Sequence, residues 1–353
     1  MKTFPDGCIV TLITPFTDGG KKIDYDAVDA LVEWQLASGS VGIFTPCLSS
    51  EMFALSAAER LELASHVKQL VGGRGVVVAT GTYGGTIEEQ AEFVRSIAAC
   101  CDAVVVNTAT LVDKGANDAA WQQAAEQLLK LTGDVPLGLY ECPVPYKRLL
   151  SPQLIGWCAS TGRFHFHKDT SCNMVDIQAK LAAVQPPFRF YNANIETLLP
   201  SLRAGGAGFS GISANFYPHL HAWMCQAVAG AAAAGADRGA AKRQKSAVPL
   251  DVAIRKVHDF LTLAEGTVVI RYPASAKAYL TLPHTPELTT STNGDERRAA
   301  ELLLTTCRHR PDGTPADNSP FLEHQRAALQ SMWRVQRDLC EELGIEMPPL
   351  PTK

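Results

Sequence analysis

The chain has 353 residues, 46% of them hydrophobic and 19% charged, with a formal net charge of -4. This is the composition of a folded globular chain, long enough for one large domain and a small appendage. It excludes the basic footprint of a nucleic-acid or anionic-membrane binder: the only basic cluster, residues 238–245, reads as a solvated stretch of linker, and no run approaches the roughly 18 apolar residues of a spanning helix. The chain is expected in the cytoplasm.

In chain order, eight short apolar runs read as strands, at 8–15, 41–46, 75–81, 102–108, 136–142, 164–168, 188–192 and 208–213. Between them lie segments of helical periodicity at 24–37, 56–71, 86–99, 118–131, 152–159, 174–184 and 195–204, joined by short connections. This α/β alternation predicts a (β/α)8 TIM barrel over residues 1–232. The segment Gly81-Thr82-Tyr83-Gly84-Gly85 lacks the spacing of either nucleotide-binding fingerprint and reads as a tight strand-to-helix turn. A helix starts at Pro218. Residues 233–353 then form a C-terminal helical appendage, with helices at 250–263, 274–282, 296–306 and 321–343 and loop insertions rich in Pro, Thr, Asp and Gly.

Ten cysteines are scattered without any C-x-x-C pair, so buried reduced thiols are expected rather than a metal site or disulfide framework. Cys47 and Cys142 fall near strand ends, where either a ligand contact or a small apolar filler fits them.

The residue with the fewest innocent explanations is Lys168, which closes the alternating run Phe164-His165-Phe166-His167-Lys168. A lysine at the end of a buried strand reaches solvent, pairs with a neighbour such as Asp169, or loses its proton through desolvation. A neutral amine attacks carbonyl carbon. His165 and His167 alternate with the phenylalanines and are expected to face the helices, which leaves no histidine beside Lys168 for a metal-dependent reaction, and no metal is expected.

Barrel active sites lie at the C-terminal ends of the strands. The ends here carry Thr14-Pro15-Phe16, Cys47-Leu48-Ser49-Ser50-Glu51, Tyr140-Glu141-Cys142-Pro143, Lys168 and Asn215-x-x-Pro218. In that order the set resembles the dihydrodipicolinate synthase and N-acetylneuraminate lyase family of class I aldolases, from about Pro5 to Leu282. The resemblance implies a Schiff-base lyase or aldolase acting on pyruvate or a related 2-oxo acid, with an aldehyde as second substrate and no cofactor beyond the covalent imine. Lys168 would be the nucleophile and Tyr140 the proton shuttle. Ser49 and Ser50 would hold the substrate carboxylate through a hydroxyl and backbone amides, with Thr14, Asn194 and Ser213 as further substrate contacts. Both serines also suit a turn and helix cap, and Glu51 reads as structural. A homo-oligomer, dimer or tetramer, is the expected assembly.

Departures from the family pattern bear on the second substrate. Leu48 stands where the family carries a hydroxyl that relays protons to the tyrosine. Val144-Pro145-Tyr146-Lys147 lacks the synthase's arginine, Thr108-Ala109-Thr110-Leu111-Val112 lacks its second tyrosine, and Asn192-Ala193-Asn194-Ile195 offers amides where the sialic acid lyase offers acids. A partner aldehyde different from both is therefore expected. The same imine would also serve the synthase reaction itself or a 2-oxo-3-deoxy sugar acid dehydratase, and a non-catalytic barrel that binds a 2-oxo acid is the alternative of another class.

Overall fold

The computed structural model describes residues 3–17, 20–236, 248–268, 272–280 and 323–349. Eight parallel strands close into a barrel: β1 (Gly7–Thr11), β2 (Gly42–Phe44), β3 (Val76–Thr80), β4 (Ala103–Asn107), β5 (Leu137–Tyr140), β6 (Phe164–Asp169), β7 (Arg189–Asn192) and β8 (Gly208–Phe209). Each strand pairs with its sequence neighbour, and β8 pairs with β1. The expected (β/α)8 architecture is what forms. A two-stranded antiparallel ribbon, Phe16–Thr17 with Lys22–Ile23, follows β1.

Helices α1 (Tyr25–Ala37), α2 (Ala57–Val71), α3 (Ile87–Ile97), α4 (Asp118–Thr132), α5 (Pro152–Ser160), α6 (Met174–Ala182), α7 (Leu198–Arg203) and α8 (Pro218–Ala236) alternate with the strands. Local chemistry starts several of them. The Ser56 and Thr86 side chains accept from the amides of Glu59 and Glu89, whose carboxylates reach back to the cap amides. Ser151 caps α5 with Pro152 in its first turn.

The barrel interior holds Ile9, Phe44, Val76, Val78, Ala103, Val105, Phe166 and Tyr191, with Phe4 closing its base. Leu137 and Leu139 alternate to the outer side, where they pack under α3, α4 and α5. Three elements depart from the sequence expectation. Strand β8 is only two residues long, because residues 212–215 turn into a 3-10 helix instead of continuing the ladder. Helix α7 starts at Leu198 rather than 195. The β5–β6 register shifts between Leu137 and Gly138, so Phe164 joins the outer core while His165 lies against Phe4, 5.8 Å between ring centroids. His167 alone of the two histidines keeps the expected outward direction.

Beyond the barrel, α9 (Leu250–Val268), α10 (Ala274–Leu280) and α11 (Glu323–Leu343) share one apolar cluster with α1, α2 and α8. The helix expected at 296–306 and both loop insertions lie outside the described residues. Among the described residues, no helix is long and apolar enough to cross a membrane, and every cysteine is a free thiol.

Gly138 makes the register workable, since a Cβ there would lie 2.1 Å from the Phe166 ring. Gly138→Ala must displace a ring two residues from Lys168, and we expect a loss of about 1–3 kcal/mol, read as a lower chemical-denaturation midpoint.

Candidate active site

The register pairs Tyr140 of β5 directly with Lys168 of β6. Both side chains point into the barrel and are buried: Lys168 and Tyr140 are each 5% exposed. The Lys168 ammonium nitrogen stands 4.2 Å from the centroid of the Tyr140 ring and 5.2 Å from that of Phe44. Burial pushes the amine down to about 8, against the smaller opposing influence of the Cys47 and Cys142 thiols. Burial likewise pushes the Tyr140 phenol well up, helped by Cys142, Cys47 and a side-chain hydrogen bond with Cys142. The thiol of Cys142 is itself raised to about 11, mainly by burial. At neutral pH the phenol is therefore protonated, while an appreciable fraction of the amine is neutral and nucleophilic.

The loop after β2 is built around Ser50. Its hydroxyl donates to the Leu12 carbonyl (2.6 Å), accepts from the Cys47 amide (3.1 Å) and lies 3.1 Å from the Thr45 hydroxyl. The Ser50 amide donates to the Cys47 carbonyl (3.0 Å), and Thr14 donates its hydroxyl to the Ser50 carbonyl (2.9 Å). Ser50 and Thr14 thus hold the loop itself, which leaves Ser49, buried at the tip of this short 3-10 turn, as the loop residue with polar groups to offer. Glu51 follows in the left-handed region (φ 57°) and accepts from the Lys277 ammonium at 2.9 Å, both side chains buried. An α10 residue therefore secures the active-site loop, the structural role expected of Glu51.

Asn194 and Ser213 each make a hydrogen bond within the protein. The Asn194 side-chain oxygen accepts from the amide (3.1 Å) and hydroxyl (2.9 Å) of Thr197, at the start of α7. The Ser213 hydroxyl lies 3.0 Å from Nε2 of His221, whose ring stacks on Phe209. The segment 144–147 has no arginine, and the residue that follows it is one. Arg148 is buried and turned to the Ala116 carbonyl (2.7 Å) and the Asp118 carboxylate (3.2 Å).

Sequence reasoning missed a charged group behind the site. Glu141 and Asp169, one residue beyond Tyr140 and Lys168, point outward, and Lys180 of α6 bridges them at 2.6 Å each. Glu141, His167 and Asp169 would be close enough to share a metal ion, but the Lys180 ammonium stands between the two carboxylates. The spacing of a strand residue and a helix lysine 11 positions on carries no signature of its own.

A family model described as the dihydrodipicolinate synthetase family matches residues 5–288. The chain belongs to this family. Among its relatives are a 4-hydroxy-tetrahydrodipicolinate synthase of Teredinibacter turnerae, 26% identical over 286 residues that cover 79% of this chain and 92% of the relative, and one of Anaeromyxobacter dehalogenans, 29% identical over 218 residues, 60% and 71% of the two chains. Solved structures share the fold. The 4-hydroxy-tetrahydrodipicolinate synthase of Methylacidiphilum fumariolicum SolV superposes with a TM-score of 0.72 at 15% identity, covering 96% of this chain and 98% of that one. CdNal of Clostridium difficile, solved with mannosamine, gives 0.70 at 14% identity over 94% and 98%. The dihydrodipicolinate synthetase family is one of class I, pyruvate-dependent lyases and aldolases, and membership accounts for the barrel.

The buried amine has a measurable signature in stability. Well below pH 8 Lys168 is protonated both folded and unfolded, and the folded state bears the whole cost of burying the charge; from about 8 toward 10.5 the folded amine is increasingly neutral and the cost fades. Lys168→Met is expected to stabilise the protein by on the order of 3 kcal/mol below pH 8, with the gain shrinking as pH rises toward 10.5, measured as denaturation midpoints across pH.

Proposed function

We propose that the chain is a Schiff-base-forming lyase or aldolase that takes pyruvate or a related 2-oxo acid at Lys168. The observation that carries this reading is the buried amine of lowered basicity beside the Tyr140 phenol. A binding site alone has no use for a desolvated amine, whereas carbonyl addition requires one.

The neutral nitrogen of Lys168 adds to the 2-oxo carbon. Tyr140 supplies the proton with which the carbinolamine hydroxyl leaves as water, and the resulting iminium draws electrons from the adjacent carbon. Loss of a proton there gives an enamine that adds to an aldehyde; carbon-carbon cleavage runs the same steps backward. Ser49 offers the loop's contact to the substrate carboxylate, and no cofactor enters the scheme. Leu48 stands at the relay position, and burial together with the nearby Cys142 and Cys47 thiols raises the Tyr140 phenol. The soluble partners are a 2-oxo acid and an aldehyde, the compartment is the cytoplasm, and the assembly is a homo-oligomer.

The names of the relatives favour the 4-hydroxy-tetrahydrodipicolinate synthase reaction as the second reading. The engaged Arg148, and the absence of arginine from 144–147, favour an aldehyde without the carboxylate that the synthase arginine would hold.

Enamine formation can be read before the aldehyde is known. The methyl protons of pyruvate should exchange with deuterium in the presence of the protein, followed by nuclear magnetic resonance. Lys168→Ala should abolish the exchange, and Tyr140→Phe should slow it by about 10²–10⁴-fold. Exchange that survives in Lys168→Ala contradicts the assignment.

A further inference from the structure

The side of the β5–β6 pair facing away from the cavity carries a group of charges that nothing in the reaction uses. Glu141, His167, Asp169 and Lys180 are all buried, the first three with no exposed surface. Lys180 donates to Oε1 of Glu141 and Oδ2 of Asp169, 2.6 Å in each case. The remaining oxygens are held too. Glu141 also accepts from the Leu150 amide (2.8 Å) and the Thr170 amide (3.2 Å), and Asp169 from the Ser171 amide (2.9 Å) and hydroxyl (2.7 Å). His167 stands 3.5 Å from Glu141 and 3.7 Å from Asp169, and both of its ring nitrogens lack a hydrogen-bond partner.

Two features tie this group to the catalytic pair. Because side chains alternate along a strand, turning Glu141 and Asp169 outward turns Tyr140 and Lys168 inward. The charges also lie on the other face of the same strand pair, one residue along the chain from Tyr140 and Lys168. Two carboxylates against one ammonium leave a single negative charge, which a proton on His167 cancels. Burial alone would lower the basicity of that imidazole, but Glu141 and Asp169 outweigh burial and raise it.

We propose that Lys180 is a positioning residue for the reaction: by bridging Glu141 and Asp169 it holds the ends of β5 and β6 in their inward-facing register and keeps the wall behind Lys168 close to neutral, so that burial rather than a neighbouring charge sets the acidity of the amine. An unbalanced carboxylate there would hold the proton on Lys168; an unbalanced ammonium would drive it off. The proposal rests on Lys168 being the reacting amine.

Other titratable groups that face Lys168 are constant in the test: Tyr140, Cys142 and Cys47 on the cavity side, and Tyr191 on β7, whose hydroxyl donates to the Pro5 carbonyl at 2.7 Å. Beyond Asp169 the electrostatic neighbours of Cys172 are Lys147, Glu196 and Glu265, also unchanged.

The experiment is competitive acetylation of the full-length protein across pH, with Lys168 modification read by peptide mass spectrometry. No 2-oxo acid is present, so the outcome stands apart from whether an imine forms. Lys180→Met, which leaves two carboxylates without their ammonium, should move the reactivity midpoint of Lys168 up by about one pH unit, and Glu141→Gln should move it down by a similar amount. The pair Glu141→Gln with Lys180→Met, which restores the formal balance, should return the midpoint toward the starting value. Opposite shifts with restoration in the pair support the proposal, because simple loosening of the barrel would move both single variants the same way. A folded Glu141→Gln protein with an unchanged midpoint overturns it, whether or not Lys180→Met folds.

Discussion

An amine placed among aromatic rings inside a closed barrel cannot keep its proton at the strength it has in water, and the other features of the site follow from that constraint. The near neighbours of Lys168 in the cavity are the Tyr140 and Phe44 rings and two thiols. The acidic residues on the same two strands, Glu141 and Asp169, face the other way and are matched by Lys180. The wall between Lys168 and Lys180 separates two lysines with opposite tasks. One is stripped of solvent, which lowers its basicity. The other is held charged, because its carboxylate partners outweigh the burial that would otherwise lower its basicity.

The barrel was legible because its strands are buried on both faces and read as continuous apolar runs, as in 75–81 and 102–108. Lys168 was legible for the same reason, as a charged group closing a buried run, whereas Tyr140 was singled out by the family resemblance of the strand ends. What escaped was set by register and tertiary partnership. The shift between Leu137 and Gly138, which sends His165 toward Phe4, follows from Phe166 packing over a glycine, and residue alternation cannot show it. The pairings of Ser213 with His221 and of the Asn194 side-chain oxygen with Thr197 depend on where α7 and α8 lie. Lys180 reads as an ordinary helix lysine until α6 is laid against β5 and β6.

The C-terminal helices are part of the site's support. Lys277 of α10 secures Glu51, and with it the loop that carries Ser49 and Cys47. Tyr272, just before α10, accepts from the Asn215 side-chain amide at 2.9 Å, and the same amide donates to the Thr11 carbonyl at the end of β1 at 2.7 Å. Residues far from the barrel in sequence thus hold the ends of its first and second strands, on opposite sides of the cavity from the β5–β6 pair.

The measurement that bears most directly on this account is borohydride reduction of the folded protein with pyruvate, followed by peptide mass spectrometry of the segment containing Lys168. The account predicts a reduced pyruvyl adduct on Lys168 that requires pyruvate and is missing from Lys168→Ala. A folded protein that yields no adduct with pyruvate or with other 2-oxo acids, or one that carries the adduct on a different lysine, would contradict it.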